Sequence, residues 1–162
     1  MLGLIKTRRG RKAAISLIAP FVEASRSRLS DLTEEAWLSP YIVGFMTMLI
    51  SLIAERATGG LTSQSAGLVQ LEAWQRVTGC NNNNIGEEIC LLSSGNDPFF
   101  QEGCINAARF LAAITRGASD DPHLPRGYAD HGIDYDPAVA TLLWAEYFDA
   151  RVNTNFVLSR QA

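Results

Sequence analysis

From Ser39 to Gly60 the chain reads SPYIVGFMTMLISLIAERATGG, with no charge before Glu55. Residues 40–57 make 18 positions, about 27 Å of helix at about 1.5 Å per residue. That is just short of the roughly 20 residues that span a bilayer. Length therefore leaves both a membrane span and a core helix open, and the angular pattern decides. Gly44, Thr47, Ser51, Glu55 and Thr58 recur at helical spacing and form one narrow line, while Tyr41, Ile42, Val43, Phe45, Met46, Met48, Leu49, Ile50, Leu52 and Ile53 cover the rest. A helix apolar over most of its circumference is surrounded either by lipid or by other helices. Amphipathic segments before and after it carry apolar stripes that need covering, so the expectation is the central helix of a bundle and no transmembrane span. The small line is then where a neighbouring helix comes closest.

Helix punctuation is unusually legible. Ser39-Pro40, Asp97-Pro98 and Asp136-Pro137 each set a capping residue before a proline at the first helical position, where the missing N–H is no loss. Asp31-x-x-Glu34 and Asn84-x-x-Glu87 have capping-box spacing, and Gly59, Gly79 and Gly117 close apolar-periodic runs. These signals predict helices over residues 11–29, 32–38, 40–57, 63–78, 85–93, 98–116 and 137–153, the last continuing as far as 158. Expected buried stripes are Ile15, Ile18, Val22 and Leu29; Leu68, Leu71 and Trp74; and Phe100, Cys104, Ala107, Leu111 and Ile114, with Glu102, Asn106 and Arg109 on the opposite face of that last helix. No strand signal competes. The fold class is all-α: one single-domain helical bundle of about six or seven helices, preceded by a basic arm over residues 1–12 with room to flex.

Charge is distributed unevenly. Lys6, Arg8, Arg9, Arg11, Lys12, Arg26 and Arg28 stand against Glu23 alone in the first 28 residues, whereas the remainder has seven arginines and sixteen acids. Such asymmetry marks Lys6, Arg8, Arg9, Arg11 and Lys12 as candidates for contact with an anionic surface, whether nucleic acid, a lipid membrane or the protein's own acidic face. The run KTRRGRK has no interleaved aromatic residue, so sequence-specific nucleic-acid binding is not expected. A basic lead before a ten-residue apolar run also has the outline of an export signal, but Ser16 and Pro20 dilute it and the helical stripe runs through it. Cys80, Cys90 and Cys104 are an odd number without short metal-ligand spacing, as in a reducing compartment. The localisation expected is cytoplasmic, and the preference for arginine over lysine points to a GC-rich bacterial genome.

The chain contains no phosphate-binding glycine loop, dinucleotide fingerprint, zinc-protease helix, nucleophile elbow or calcium loop. Its densest polar chemistry is SDDPHLPRGYADHGIDYDP, residues 119–137, which holds both histidines. Neutral imidazole and carboxylate are ligands for zinc, iron or manganese, making His123, Asp130, His131 and Asp134 the candidate metal set. His131 paired with Asp130 or Asp134 also has the elements of a general base, with Arg126, Tyr128 and Tyr135 as nearby donors. The simpler reading is an interhelical loop in which Asp residues bend turns and Asp136 caps a helix. Cys104 reads as structural, Cys80 as the more exposed thiol and Cys90 as core. The aromatic residues, including the Trp144, Phe148, Val152, Phe156 series, read as packing.

These features point first to a helical interaction module of unspecified partner that self-associates as a homo-oligomer, because apolar content is high and no catalytic signature is present. The first alternative is a metal- or small-molecule-dependent enzyme with its site in residues 120–136, a divalent metal being its cofactor. The second is a peripheral membrane protein that lays its basic first helix on anionic lipid.

Overall fold

The computed structural model describes residues 2–29, 32–81, 84–116, 127–129 and 133–153. Its elements are α1 (Leu2–Leu29), α2 (Glu34–Trp37), α3 (Pro40–Thr58), α4 (Ser63–Thr78), α5 (Ile85–Ser94), α6 (Pro98–Arg116), β1 (Gly127–Ala129), β2 (Ile133–Tyr135) and α7 (Pro137–Trp144). A π-helical turn, Ala145–Asp149, follows α7, and α-helix resumes to residue 153. The chain is an all-α bundle with one small hairpin. Asp97 and Asp136 cap as the sequence predicts: Asp97 Oδ1 accepts from Phe99 N and Phe100 N at 2.9 Å each, and Asp136 Oδ1 from Ala138 N at 2.9 Å and Val139 N at 3.2 Å. Gly59 and Gly79 close α3 and α4 in the left-handed conformation, both with φ of 71°. Three expected caps differ. Ser39 turns its hydroxyl back to the Ala36 carbonyl, Asn84 makes no side-chain cap bond, and α2 is opened by Thr33, whose hydroxyl accepts from Ala36 N. Asp31 and Gly117 lie outside the described residues.

The apolar helix α3 is enclosed by protein. Twelve of its 19 residues are buried, including Ile42, Val43, Phe45, Met46, Leu49, Ile50 and Ile53. Among the described residues it alone is long and apolar enough to cross a bilayer, and two thirds of that stretch lies inside the fold. Its small line is where α6 closes in. A Cβ on Gly44 would fall inside the van der Waals shell of the Phe100 carbonyl, and one on Gly103 would collide with the Tyr41 carbonyl. Two glycines on facing helices thus allow backbone-to-backbone contact, and Cys104 Sγ reaches the Gly44 carbonyl at 3.5 Å. Farther along the same line, Ser51 Oγ accepts from Gln70 Nε2 of α4 at 2.7 Å.

Helix directions follow from these side-chain links. Lys6 Nζ donates to the Gly60 carbonyl at 3.3 Å and Gly10 lies against Ala54, so α1 runs antiparallel to α3. Arg11 pairs with Glu72 and, farther along both helices, Arg26 Nη2 donates to the Thr78 carbonyl at 2.6 Å, so α4 runs parallel to α1 and hence antiparallel to α3. α7 packs on α6 and α1, and its aromatic series fills the centre: Trp144 stacks on Phe148 at 4.7 Å and on Phe21 at 5.3 Å, with Phe45 and Phe110 edge-on to Trp144 at 5.8 Å. Phe156 is outside the described residues. Phe148 and Asp149, consecutive in the π turn, are both buried. Asp149 Oδ1 accepts from buried Ser25 Oγ, which in turn accepts from Trp144 Nε1 at 2.8 Å. Arg28 reaches Asp149 Oδ2 through Nη2 at 2.6 Å.

Several expectations are corrected. α1 begins at Leu2, not at residue 11, so the basic stretch forms the first turns of a helix and is no separate arm; its links to Gly60, Ala54 and Glu72 supply what its glycines lack in helix propensity. The buried face of α4 is Val69, Ala73, Trp74 and Val77, leaving Leu68 at 45 % exposure. Asn106 is buried, donating to Tyr41 Oη at 3.1 Å. α5 buries only Ile85, so Cys90 and Leu91 are exposed, while Cys80 is half-buried against the core. Phe99 is exposed as well, on the outer side of the first turn of α6. β1 and β2 pair antiparallel, Tyr128 opposite Asp134, where no strand is expected; Ile133 is buried and Asp136 N donates to the Ile114 carbonyl at 3.0 Å, which ties the hairpin to the end of α6.

Gly44→Leu should force α3 and α6 apart and cost about 1–3 kcal/mol, lowering the melting temperature by about 2–4 °C per kcal/mol; unchanged melting would contradict the close approach. Ser25→Ala leaves Trp144 N–H and one Asp149 oxygen without their buried partner and should cost about 1–3 kcal/mol by denaturant titration. The exposed Ser27→Ala should stay within about 0.5 kcal/mol. Burial raises the Cys104 thiol above its ordinary value of 9.0, so at pH 8 it is less ionised than a free thiol. Timed alkylation read by mass spectrometry should modify exposed Cys90 well before Cys104, and equal rates would refute that burial.

Candidate anion-binding groove

α1 and α4 run side by side in the same direction, and a groove of about 540 Å³ opens between them. Its α1 wall comes from Arg8, Arg11, Lys12, Ile15 and Ser16, residues three and four apart that share one helix face. Its α4 wall comes from Glu72 and Arg76, four apart on the outward side of that helix. The opposite face of α1, with Gly10, Ala13, Ala14 and Leu17, is buried, so the core contact of the helix orients its cations outward. Among the described residues, four cations and one carboxylate line the groove.

Arg11 forms an ion pair with Glu72 across the groove, joining its two walls. Both side chains remain about two-fifths exposed, and a pair so open to water contributes about 0–1 kcal/mol. Its role is to hold the Arg11 guanidinium at the floor. Arg8 and Arg76 are exposed and have no ion pair or hydrogen bond among the described residues. Ile15 supplies an apolar patch beneath the charged heads. A planar guanidinium offers a fork of N–H donors matched to carboxylate and phosphate oxygens, so three arginines and a lysine around one opening are suited to a multiply charged anion.

The five basic residues singled out in the sequence are sorted by the fold. Arg8, Arg11 and Lys12 line the groove, Lys6 is directed to the Gly60 carbonyl beyond the end of α3, and Arg9 is exposed outside the groove lining. Arg76 and Glu72 are additions that sequence reasoning missed, since nothing in the chain says that α4 lies beside α1. Of the candidate metal set, His123, Asp130 and His131 lie outside the described residues, as does Arg126. Asp134 is half-buried in β2, and Tyr135 packs at the core edge with its ring 6.2 Å from Phe21. Among the described residues no three His, Cys, Asp or Glu side chains come together as a metal site.

A second polar cluster joins α3, α6 and the end of the last helix. Arg151 lies 4.7 Å over the Tyr41 ring and pairs with Glu102, while Tyr41 Oη accepts from Asn106. Desolvation raises the Tyr41 hydroxyl above 10.0, so it stays protonated through the physiological range. Its groups satisfy one another, and the cluster serves as a clamp.

Comparison with protein-family models, curated proteins and solved structures finds no match for this chain.

Proposed function

We propose that the chain is a helical interaction module whose recognition surface is the groove between α1 and α4 and whose partner is anionic. The observation that carries this reading is the gathering of Arg8, Arg11, Lys12 and Arg76 from two helices around one opening in which Glu72 is the single carboxylate among the described residues. A merely solvated basic segment would not require cations from a helix some sixty residues away in sequence. The three described cysteines are free, which accords with a cytoplasmic setting.

Self-association is the second reading. The apolar excess that suggests it is largely taken up by the core, and the large apolar residues left exposed on α5, α6 and α7 are Leu91, Phe99, Ile105 and Leu142. Phe99 and Ile105 lie about a third of a turn apart around α6, so they do not make one face. Light scattering at micromolar concentration distinguishes a dimer from a monomer. The enzyme reading rests on His123, Asp130 and His131, which lie outside the described residues, together with Asp134 in β2.

Tripolyphosphate titrated into the protein should give saturable heat that weakens steeply with added salt. Arg8→Gln with Arg76→Gln should reduce its affinity by about tenfold or more, since each removes charge-assisted bonds to phosphate. The absence of heat, or a double variant that binds as the parent does, would refute the groove as the site.

A further inference from the structure

The groove has an apolar end. Leu4 is 76 % and Ile5 62 % exposed on the first turns of α1, one turn before Arg8 and Arg9. Leu68 is 45 % exposed on α4, one turn before Glu72 on the face that continues to Arg76. Because α1 and α4 are parallel and tied by Arg11–Glu72, these three aliphatic side chains lie toward the same end of the groove, with the cations following along it.

We propose that this end is a docking surface for an anionic lipid bilayer, with Leu4, Ile5 and Leu68 entering the boundary between headgroups and acyl chains while Arg8, Arg11, Lys12 and Arg76 meet the headgroup phosphates. This rests on the groove as an anion site and names the source of the anion. A soluble phosphate or a nucleic acid would use the cations and leave the three aliphatic side chains in water. A lipid interface engages both classes at once, because its phosphates lie directly above its hydrocarbon. The surface is built in advance: Lys6 anchors the same turns of α1 to the Gly60 carbonyl and Gly10 seats them against Ala54, so the aliphatic side chains are held in fixed register with the groove. Neither anchor uses a groove cation.

The test is flotation of the full-length protein with vesicles of phosphatidylcholine alone or containing about a third phosphatidylglycerol, beside tripolyphosphate calorimetry on the same samples. The parent should float with the anionic vesicles and not with the neutral ones. Leu4→Asn with Ile5→Asn, exposed positions whose replacement leaves the core intact, should lower vesicle partitioning by about tenfold or more while tripolyphosphate binding is kept. Arg8→Gln with Arg76→Gln should lower both, by about fivefold per cation at the vesicle. Tripolyphosphate binding without vesicle binding overturns the lipid assignment and leaves the groove reading standing, whereas loss of both in the parent removes both. An Asn variant that floats like the parent shows cations acting alone and also overturns the proposal. So does a duplex DNA that displaces the protein from anionic vesicles at equal phosphate concentration.

Discussion

The close backbone approach of α3 and α6, Gly44 against Phe100 and Gly103 against Tyr41, sets the spacing on which the rest of the bundle depends. With no Cβ on either side, the two helices approach until the Phe100 and Tyr41 carbonyls lie over the glycines. That distance brings Phe45 beside Phe110, and the pair forms a wall onto which Trp144 and Phe148 dock. α7 is then close enough to α1 for Asp149 to reach Ser25 and Arg28. The opposite flank of α3 receives α1 and α4, whose side-by-side placement creates the basic groove.

Polar groups inside the bundle are arranged so that none of these contacts leaves a charge unsupported. Asp149, largely buried, accepts from Ser25 at one oxygen and from Arg28 at the other. Tyr41 and Asn106 satisfy each other, and Arg151 covers the tyrosine ring. Buried polar groups cost stability when unpaired, so each of these pairs also fixes which helix faces which. The groove follows different rules. Its cations remain in water, where like charges on neighbouring turns are screened and tolerated, and its geometry comes from the apolar faces of α1 and α4 behind them.

Much of this architecture is legible along the chain. The Pro40 start, the Gly59 stop and the apolar circumference between them define α3, and Gly44 marks the side from which a neighbour approaches. The bounds of α4 and α6 follow from local caps, because a cap is a bond between residues two or three apart. Less legible is which residue faces inward when a stripe has two candidates. Leu68 continues an apolar spacing yet stays exposed, since Val69 and Ala73 lie where α1 and α3 converge. Asn106 looks polar-outward and is buried, since Tyr41 is there to receive it. Cys90 and Leu91 sit in an apolar run, but α5 meets the bundle only along one edge.

The anion site divides in the same way. The sequence by itself determined that the fold is helical, that α3 lies at its centre and that positive charge collects in the first turns of α1, because helix periodicity, capping and charge are properties of neighbouring residues. The tertiary structure alone decided that Arg76 and Glu72 join Arg8 and Arg11, that Lys6 turns away to the Gly60 carbonyl, and that Leu68 stays exposed on α4. Those outcomes depend on α1 and α4 packing in parallel against α3, a relation between residues some sixty positions apart that no local pattern encodes.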